Sequence, residues 1–297
     1  MRDSAGIGTT DDRGGCSMKE WGLIADSSCD LNHQLFDSGD AYFATVPLKI
    51  VVGDREFVDL PETDPREMLR AVHEFKGPSS TACPSPADFA VQLRQAKNSF
   101  IVTISSRLSG TYNAALQAIE LIRDELPGHK VHVVDSLSTA GTMVLILRRL
   151  RDLIAQGLPF EEIVEAIERY RDQMVILFSL ATFDALVKNG RMSAVTGILA
   201  TALNIRAVAR NNDGRIQVLE KPRGERRAIE RMVDLMGKAK EMGSRTPVVI
   251  THCGNRSGAD SLRQLIEKNY GSEDITILDC ACLTSFYAGE QGLLLSF

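Results

Sequence analysis

Two hydrophobic periods alternate along the chain. The apolar runs WGLIADSS (21–28), ATVPLKIVV (44–52), FIVTISS (100–106) and KVHVVDS (130–136) read as short, largely buried strands. GDREFVD, directly after the second run, reads as a turn with a short extension. ADFAVQLRQAK (87–97) and TYNAALQAIELIRDEL (111–126) place apolar residues at helical spacing. The order β-α-β-α-β predicts a parallel sheet covered by helices. Two further helical patterns, TMVLILRRLRDLIAQG and PFEEIVEAIERYRDQM, are separated by Gly157-Leu158-Pro159, a stop signal followed by a start signal.

That punctuation divides the chain into an N-terminal α/β domain over 18–158 and a C-terminal α/β domain over 159–297. The second half carries the strand-like runs VILFSLAT (175–182), RIQVLEK (215–221), PVVITHC (247–253) and DITILDC (274–280). RRAIERMVDLMGKAKEM and GADSLRQLIEKN read as amphipathic helices, and Asn212-Asp213-Gly214 as a hairpin turn. A mixed sheet is expected there. Residues 1–17 are polar and Gly-rich and lack the apolar stretch of a secretory signal, so they read as a leader or tag outside the fold.

Composition narrows the classes of function. Hydrophobic residues make up 44% and charged residues 25% of the 297, enough for a full core. The net charge of −5 argues against a dedicated nucleic-acid binder, and no apolar run approaches the ~18 residues of a membrane span. Six cysteines without an export signal read as free thiols of a cytoplasmic protein. They include no CxxC pair, and four zinc ligands at familiar spacings are missing. The residues therefore imply no metal and no cofactor.

The clearest chemical signal is FIVTISSRLSGTYNAALQAIELIRDEL. A buried strand runs into a loop with Ser109, Gly110 and Thr111, and a helix follows. Free N–H groups at such a helix start favour an anion, Gly110 permits close approach, and the hydroxyls add donors. Ordinary capping by Ser109 explains the same residues. PSSTACPSPADF (78–89) offers Thr81 and Ser85 in a Pro-stiffened connection with an N-cap before the next helix. In LVKNGRMS (186–193), Asn189-Gly190 reads as a helix C-cap that presents Arg191. Asp26-Ser27-Ser28 follows the first strand, where open parallel sheets place ligand sites, and reads equally as a loop cap. His252 ends a strand as a candidate base or a structural side chain. No GxSxG, GxxxxGK[ST], HExxH or dinucleotide fingerprint occurs, so the chain is equipped to hold an anion rather than to do bond chemistry alone.

In order along the chain, IADSSCDL (24–31), VPLKIVVGDREFVD (46–59), STACPSPADF (80–89), ISSRLSGTYNAAL (104–116), VVDS (133–136), ALVKNGRMS (185–193), LNIRAVARNNDGRI (203–216) and EKPRGERRAI (220–229) resemble the DegV family of bacterial fatty-acid-binding proteins. The resemblance implies two α/β domains with a long-chain fatty acid in a buried tunnel between them. It implies a carrier, not an enzyme, that presents the carboxylate to a separate fatty acid kinase. Carried over residue by residue, Thr81 and Ser109 hydrogen-bond the carboxylate, the Gly110 N–H assists, and Arg191 sits near the mouth and helps kinase engagement. Two departures stand out. The first loop reads Thr-Ala-Cys-Pro-Ser (81–85) where the family has Thr-Ser-Gln-Pro-Ser. LTSFYAGEQGLLL (283–295) replaces the family's His-containing element, with Phe286 or Tyr287 nearest the His position, so the Tyr287 hydroxyl is expected to supply one hydrogen bond in its place. Three other readings are an enzyme or kinase subunit acting on a small polar substrate, by fold-level likeness to dihydroxyacetone kinase substrate domains, a divergent paralogue with another lipid ligand, and a serine hydrolase pairing Ser109 with His252.

Overall fold

The computed structural model describes residues 18–31, 34–193, 204–212 and 215–297. The expected leader, Cys16, and Asp213 and Gly214 of the expected hairpin turn lie outside the described residues.

The first layer is the parallel sheet that the alternation implies. Strands β1 (Lys19–Asp26), β2 (Tyr42–Val46), β6 (Ala96–Thr103) and β7 (Lys130–Asp135) assemble in the order β2-β1-β6-β7. All three pairings are parallel, with Leu23 opposite Phe43 and Phe100, and Ile101 opposite Val133. Successive side chains point to opposite faces of a strand. One face, with Ile24, Ile101 and Val133, packs on α2 (Pro86–Leu93) and α3 (Thr111–Ile122). The other, with Leu23, Phe100, Val102 and Val134, packs on α4 (Gly141–Ala155) and α5 (Phe160–Arg171). The expected boundary between residues 158 and 159 falls between α4 and α5, both of which pack with this sheet.

The run ATVPLKIVV divides at Pro47. Pro47 has no N–H to give a ladder, so β2 ends at Val46 and the chain leaves the parallel sheet. The Leu48 N–H is taken by the Ser27 hydroxyl at 3.0 Å. Residues 49–52 instead form β3 (Lys49–Val52) of a separate antiparallel sheet, ordered β4-β3-β5 with β4 (Arg55–Val58) and β5 (Ser79–Ala82). Thr81 thus stands on a strand, opposite Ile50, where the sequence suggested a loop. Helix α1 (Pro65–Glu74) links β4 to β5.

The second half forms the expected mixed sheet, ordered β10-β9-β8-β13-β11-β12. Its strands are β8 (Ile176–Ser179), β9 (Val208–Asn212), β10 (Arg215–Glu220), β11 (Val248–His252), β12 (Ile275–Asp279) and β13 (Leu293–Ser296). β9 and β10 pair antiparallel from Asn212 opposite Arg215. Helices α7 (Glu225–Ala239) and α8 (Arg256–Tyr270) cover the face bearing Leu177, Val248, Ile250 and Leu295. The opposite face, with Ile176, Phe178 and Leu294, turns toward the first half. Two short helices complete the frame, α6 (Asp184–Lys188) and α9 (Cys282–Ala288). The start of α4 is wedged between the halves: a Cβ on Gly141 would come within 2.8 Å of Val249. Beside it, Ser138 donates to Thr142 at 3.0 Å and Thr142 to Ser296 at 3.2 Å, a buried hydroxyl chain from the first half to β13.

Candidate functional site

Ligands of open parallel sheets gather beyond the carboxyl ends of the strands. Here the loops after β6 and β7 deliver Ile104, Leu108, Ser109, Ser138 and Thr139 to a cavity closed on the other side by the second sheet and α9. Ile176 and Phe178 alternate along β8 into it, followed by Leu180, and Leu283, Thr284, Tyr287 and Ala288 of α9 form another wall. The cavity holds about 810 Å³ of empty space, counting its open mouth. Its lining is predominantly apolar, and Arg191 is the only charged group among the described lining residues.

The expected site residues converge, with one exception. Thr81, Ser109, Arg191 and Tyr287 all line the cavity. The Thr81 and Tyr287 hydroxyls are 2.8 Å apart, so β5 and α9 meet at a polar spot in an apolar wall. The Ser109 hydroxyl lies 2.9 Å from that of Thr111. Gly110 precedes α3 with helical dihedrals (φ −74°, ψ 0°), is exposed, and is not among the lining residues. The Ser109 hydroxyl approaches the Thr111 N–H only at 3.4 Å, so capping leaves it free to turn toward a ligand.

Arg191 is held by backbone. The Asn189 C-cap and Gly190, at φ +74°, end α6 as expected, a left-handed turn that suits glycine. The guanidinium Nε donates to the Leu108 carbonyl at 3.0 Å and Nη1 to the Asn189 carbonyl. Arg191 therefore braces the loop that carries Ser109 while keeping its charge on the cavity wall.

Three buried carboxyls support the site without lining it. Asp26 accepts from the Ile104 N–H at 2.6 Å and the Ser28 N–H at 3.0 Å, tying the ends of β1 and β6 together. It occupies the strand-end crevice itself, so the DSS element acts as a cap. Asp30 accepts from the Ala281 N–H at 2.9 Å and Asp59 from the Cys282 N–H at 2.7 Å, so two first-half carboxyls hold the start of α9. Burial pushes all three carboxyls up, Asp26 and Asp59 to about 6 and Asp30 to about 8, although their N–H donors partly offset it.

His252 lies outside the cavity lining at the end of β11. Its Nδ1 accepts from the Asn255 N–H at 3.3 Å and lies 3.4 Å from an Asp279 oxygen. Burial lowers its proton affinity. Its recorded partners are structural, and Ser109 is not among them. Sequence reasoning overlooked Ser138, Thr139, Asn211 and Thr284 on the wall. The β8 alternation was the available signal for the apolar side, whereas the hydroxyls come from loops without a pattern.

Residues 20–296 match the model of the family described as "Uncharacterised protein, DegV family". The chain belongs to the DegV family. Among DegV relatives, the "DegV domain-containing protein spr0652" of Streptococcus pneumoniae is 39% identical over 278 residues, covering 93% of this chain and 98% of the relative. The solved Fatty Acid Kinase (Fak) B3 protein of S. pneumoniae, loaded with linoleic acid, superposes with a TM-score of 0.89 at 38% identity, covering 94% of this chain and 99% of that one. A DegV family protein from Eubacterium eligens, loaded with heptadecanoic acid, gives a TM-score of 0.88 at 33% identity, covering 93% and 98%. The α/β architecture of this DegV chain is thus that of proteins solved with fatty acids bound. Among its described residues, no helix is long and apolar enough to cross a membrane.

Proposed function

We propose that this DegV protein is a carrier that holds one long-chain fatty acid between its two halves and presents the carboxylate to a separate fatty acid kinase in the cytoplasm. The observation that carries this reading is the predominantly apolar cavity with hydroxyls of Thr81, Ser109 and Tyr287 on its wall. An unpaired buried carboxylate is very costly, so donors are needed where the head group sits. Each buried methylene adds roughly 0.8 kcal/mol, so the tail supplies most of the affinity and the hydroxyls fix orientation. Relatives solved with linoleic acid and heptadecanoic acid support the ligand class, and the name of the S. pneumoniae relative supports the kinase as partner. The apolar lining favours a carrier over an enzyme of a small polar substrate.

In this reading Thr81, Ser109 and Tyr287 bind the carboxylate, and Gly110, off the cavity wall, serves the turn into α3. Arg191 positions the Ser109 loop and couples the mouth to the kinase. Organic extraction of the purified protein followed by mass spectrometry is expected to release a long-chain fatty acid. A protein that is empty and also fails to take up added oleate or palmitate overturns the proposal.

A further inference from the structure

One wall of the cavity runs along β8. Leu180 follows one end of that strand, and Arg191, also on the wall, is bound to Leu108 of the Ser109 loop. Ile176 begins the strand at its far end, four residues from Leu180, or roughly 13 Å at strand spacing. Asn211 stands next to that far end, because β9 pairs with β8 through Arg210 opposite Leu177. There its amide Nδ2 donates across to the Leu137 carbonyl of the first half. Behind this bridge lies a second groove between the halves. It shares Ser138, Ile176 and Asn211 with the cavity and continues with Leu137, Leu219 and Leu235 among the charged side chains of Arg171, Asp172, Arg210 and Lys238.

Leu137 carries φ +51°, a left-handed backbone that a bulky side chain rarely adopts. Its N–H donates to Asp135 at 3.1 Å and its carbonyl receives Asn211, so hydrogen bonds on both sides hold the unfavourable turn. The amide oxygen of Asn211 is buried and has no hydrogen-bond partner among the described residues. The side chain is thus committed through its nitrogen to the bridge.

We propose that Asn211 is the stop that sets acyl-chain length, its bridge to Leu137 closing the methyl end of the cavity against the second groove. The inference rests on the fatty-acid reading above and adds a specificity residue to it. A chain that reaches the bridge gains from each methylene up to that point. A longer one must break the hydrogen bond or fold back. Removing the amide joins the cavity to the groove, where Leu137, Leu219 and Leu235 offer apolar contact to the next few methylenes before the charged wall of Arg171, Asp172, Arg210 and Lys238.

The test is a competition series of saturated fatty acids from 12 to 22 carbons on wild type, Asn211→Ala, the milder Asn211→Ser and the wall-preserving Asn211→Leu. Wild-type affinity is expected to rise about fourfold per methylene, the equivalent of ~0.8 kcal/mol, and then fall beyond a cut-off. Asn211→Ala and Asn211→Ser move the cut-off longer by two or more carbons, with about tenfold tighter binding of the first acids that wild type rejects. Asn211→Leu keeps the wild-type cut-off or shortens it. An unchanged cut-off in the folded Ala or Ser variant overturns the stop while leaving the carrier reading intact. Wild type that binds no acid of any length overturns the carrier reading and the stop together.

Discussion

The hydroxyls of Thr81 and Tyr287 meet at 2.8 Å although 206 positions separate them in the chain. One belongs to the small antiparallel sheet and the other to α9, so the contact exists only when both elements are seated. In the proposed reading a carboxylate beside the pair accepts from both, and the two hydroxyls turn their donors to the ligand instead of to each other.

Tyr287→Phe is accordingly expected to weaken fatty-acid binding about tenfold to a hundredfold. That is the ~1.5–3 kcal/mol of a hydrogen bond to a charged group. The ring, packed edge-on to Phe286 at 4.9 Å, stays in place, so thermal stability changes little. Displacement of a fluorescent fatty acid measures the first effect and thermal melting the second. Unchanged affinity removes Tyr287 from the head-group site.

Ser109→Ala is expected to cost a similar factor for free fatty acids and much less for the corresponding methyl esters, which bring no charge. The ratio of the two losses is the diagnostic quantity. Equal losses for acid and ester place Ser109 on the acyl chain and not on the carboxylate.

Arg191→Ala is expected to lower affinity about threefold to tenfold through the released Leu108 carbonyl and loosened Ser109 loop. It is also expected to slow acyl-phosphate formation by the kinase further than occupancy explains. Kinase turnover with fully loaded carrier separates the two. Full turnover under loading denies Arg191 a coupling role.

Stability is expected to fall as pH rises, in part through Asp30. The native protein keeps the Asp30 proton up to about pH 8, because burial disfavours the charge, whereas the unfolded chain releases it near its ordinary 3.8. Between those values the native state binds the extra proton, so this contribution is fully present below the lower value and lost through the upper one. Asp26 and Asp59 act in the same direction up to about 6. Urea unfolding of wild type and Asp30→Asn between pH 4 and 9 isolates the Asp30 share. The difference is expected to have a limiting slope of ~1.4 kcal/mol per pH unit. Parallel curves reject the buried, protonated Asp30.

Gly141→Ala is expected to destabilise the protein by ~1–3 kcal/mol. The added methyl would overlap Val249, 2.8 Å away across the join between the halves. Denaturant unfolding checks it, and a neutral result means that α4 and β11 separate more easily than their packing implies.

Much of this was legible in the residues. Apolar runs marked β1, β6, β7, β8 and β11, and helical spacing marked α3, α4, α5, α7 and α8, because burial imposes its period on the sequence. Ser109 and Arg191 were visible because a Ser-Gly-Thr helix entry and an Asn-Gly exit are local signals. Thr81 was found in what looked like a loop, since β5 (SSTA) is short, polar and half exposed and pairs only with distant β3. α9 and β13 were missed. CLTSFYA lacks a helical stripe because almost all of it is buried, and its start is held by Asp30 and Asp59 from far away in sequence. Such cross-chain satisfaction leaves no periodic trace. The division of ATVPLKIVV was readable in principle from Pro47, but the apolar character on both sides masked it.

The detour that begins at Pro47 makes the three-stranded sheet an appendage inserted between β2 and α2, sharing no ladder with either large sheet. In the proposed reading, the head-group contact of Thr81 sits on this appendage, while the tail-length stop at Asn211 is built into the scaffold. A lineage that rewrites residues 48–85 around a retained Asp59, whose carboxyl holds the start of α9, changes the polar end without touching the ladders of either large sheet, so the two halves of ligand choice are free to diverge at different speeds.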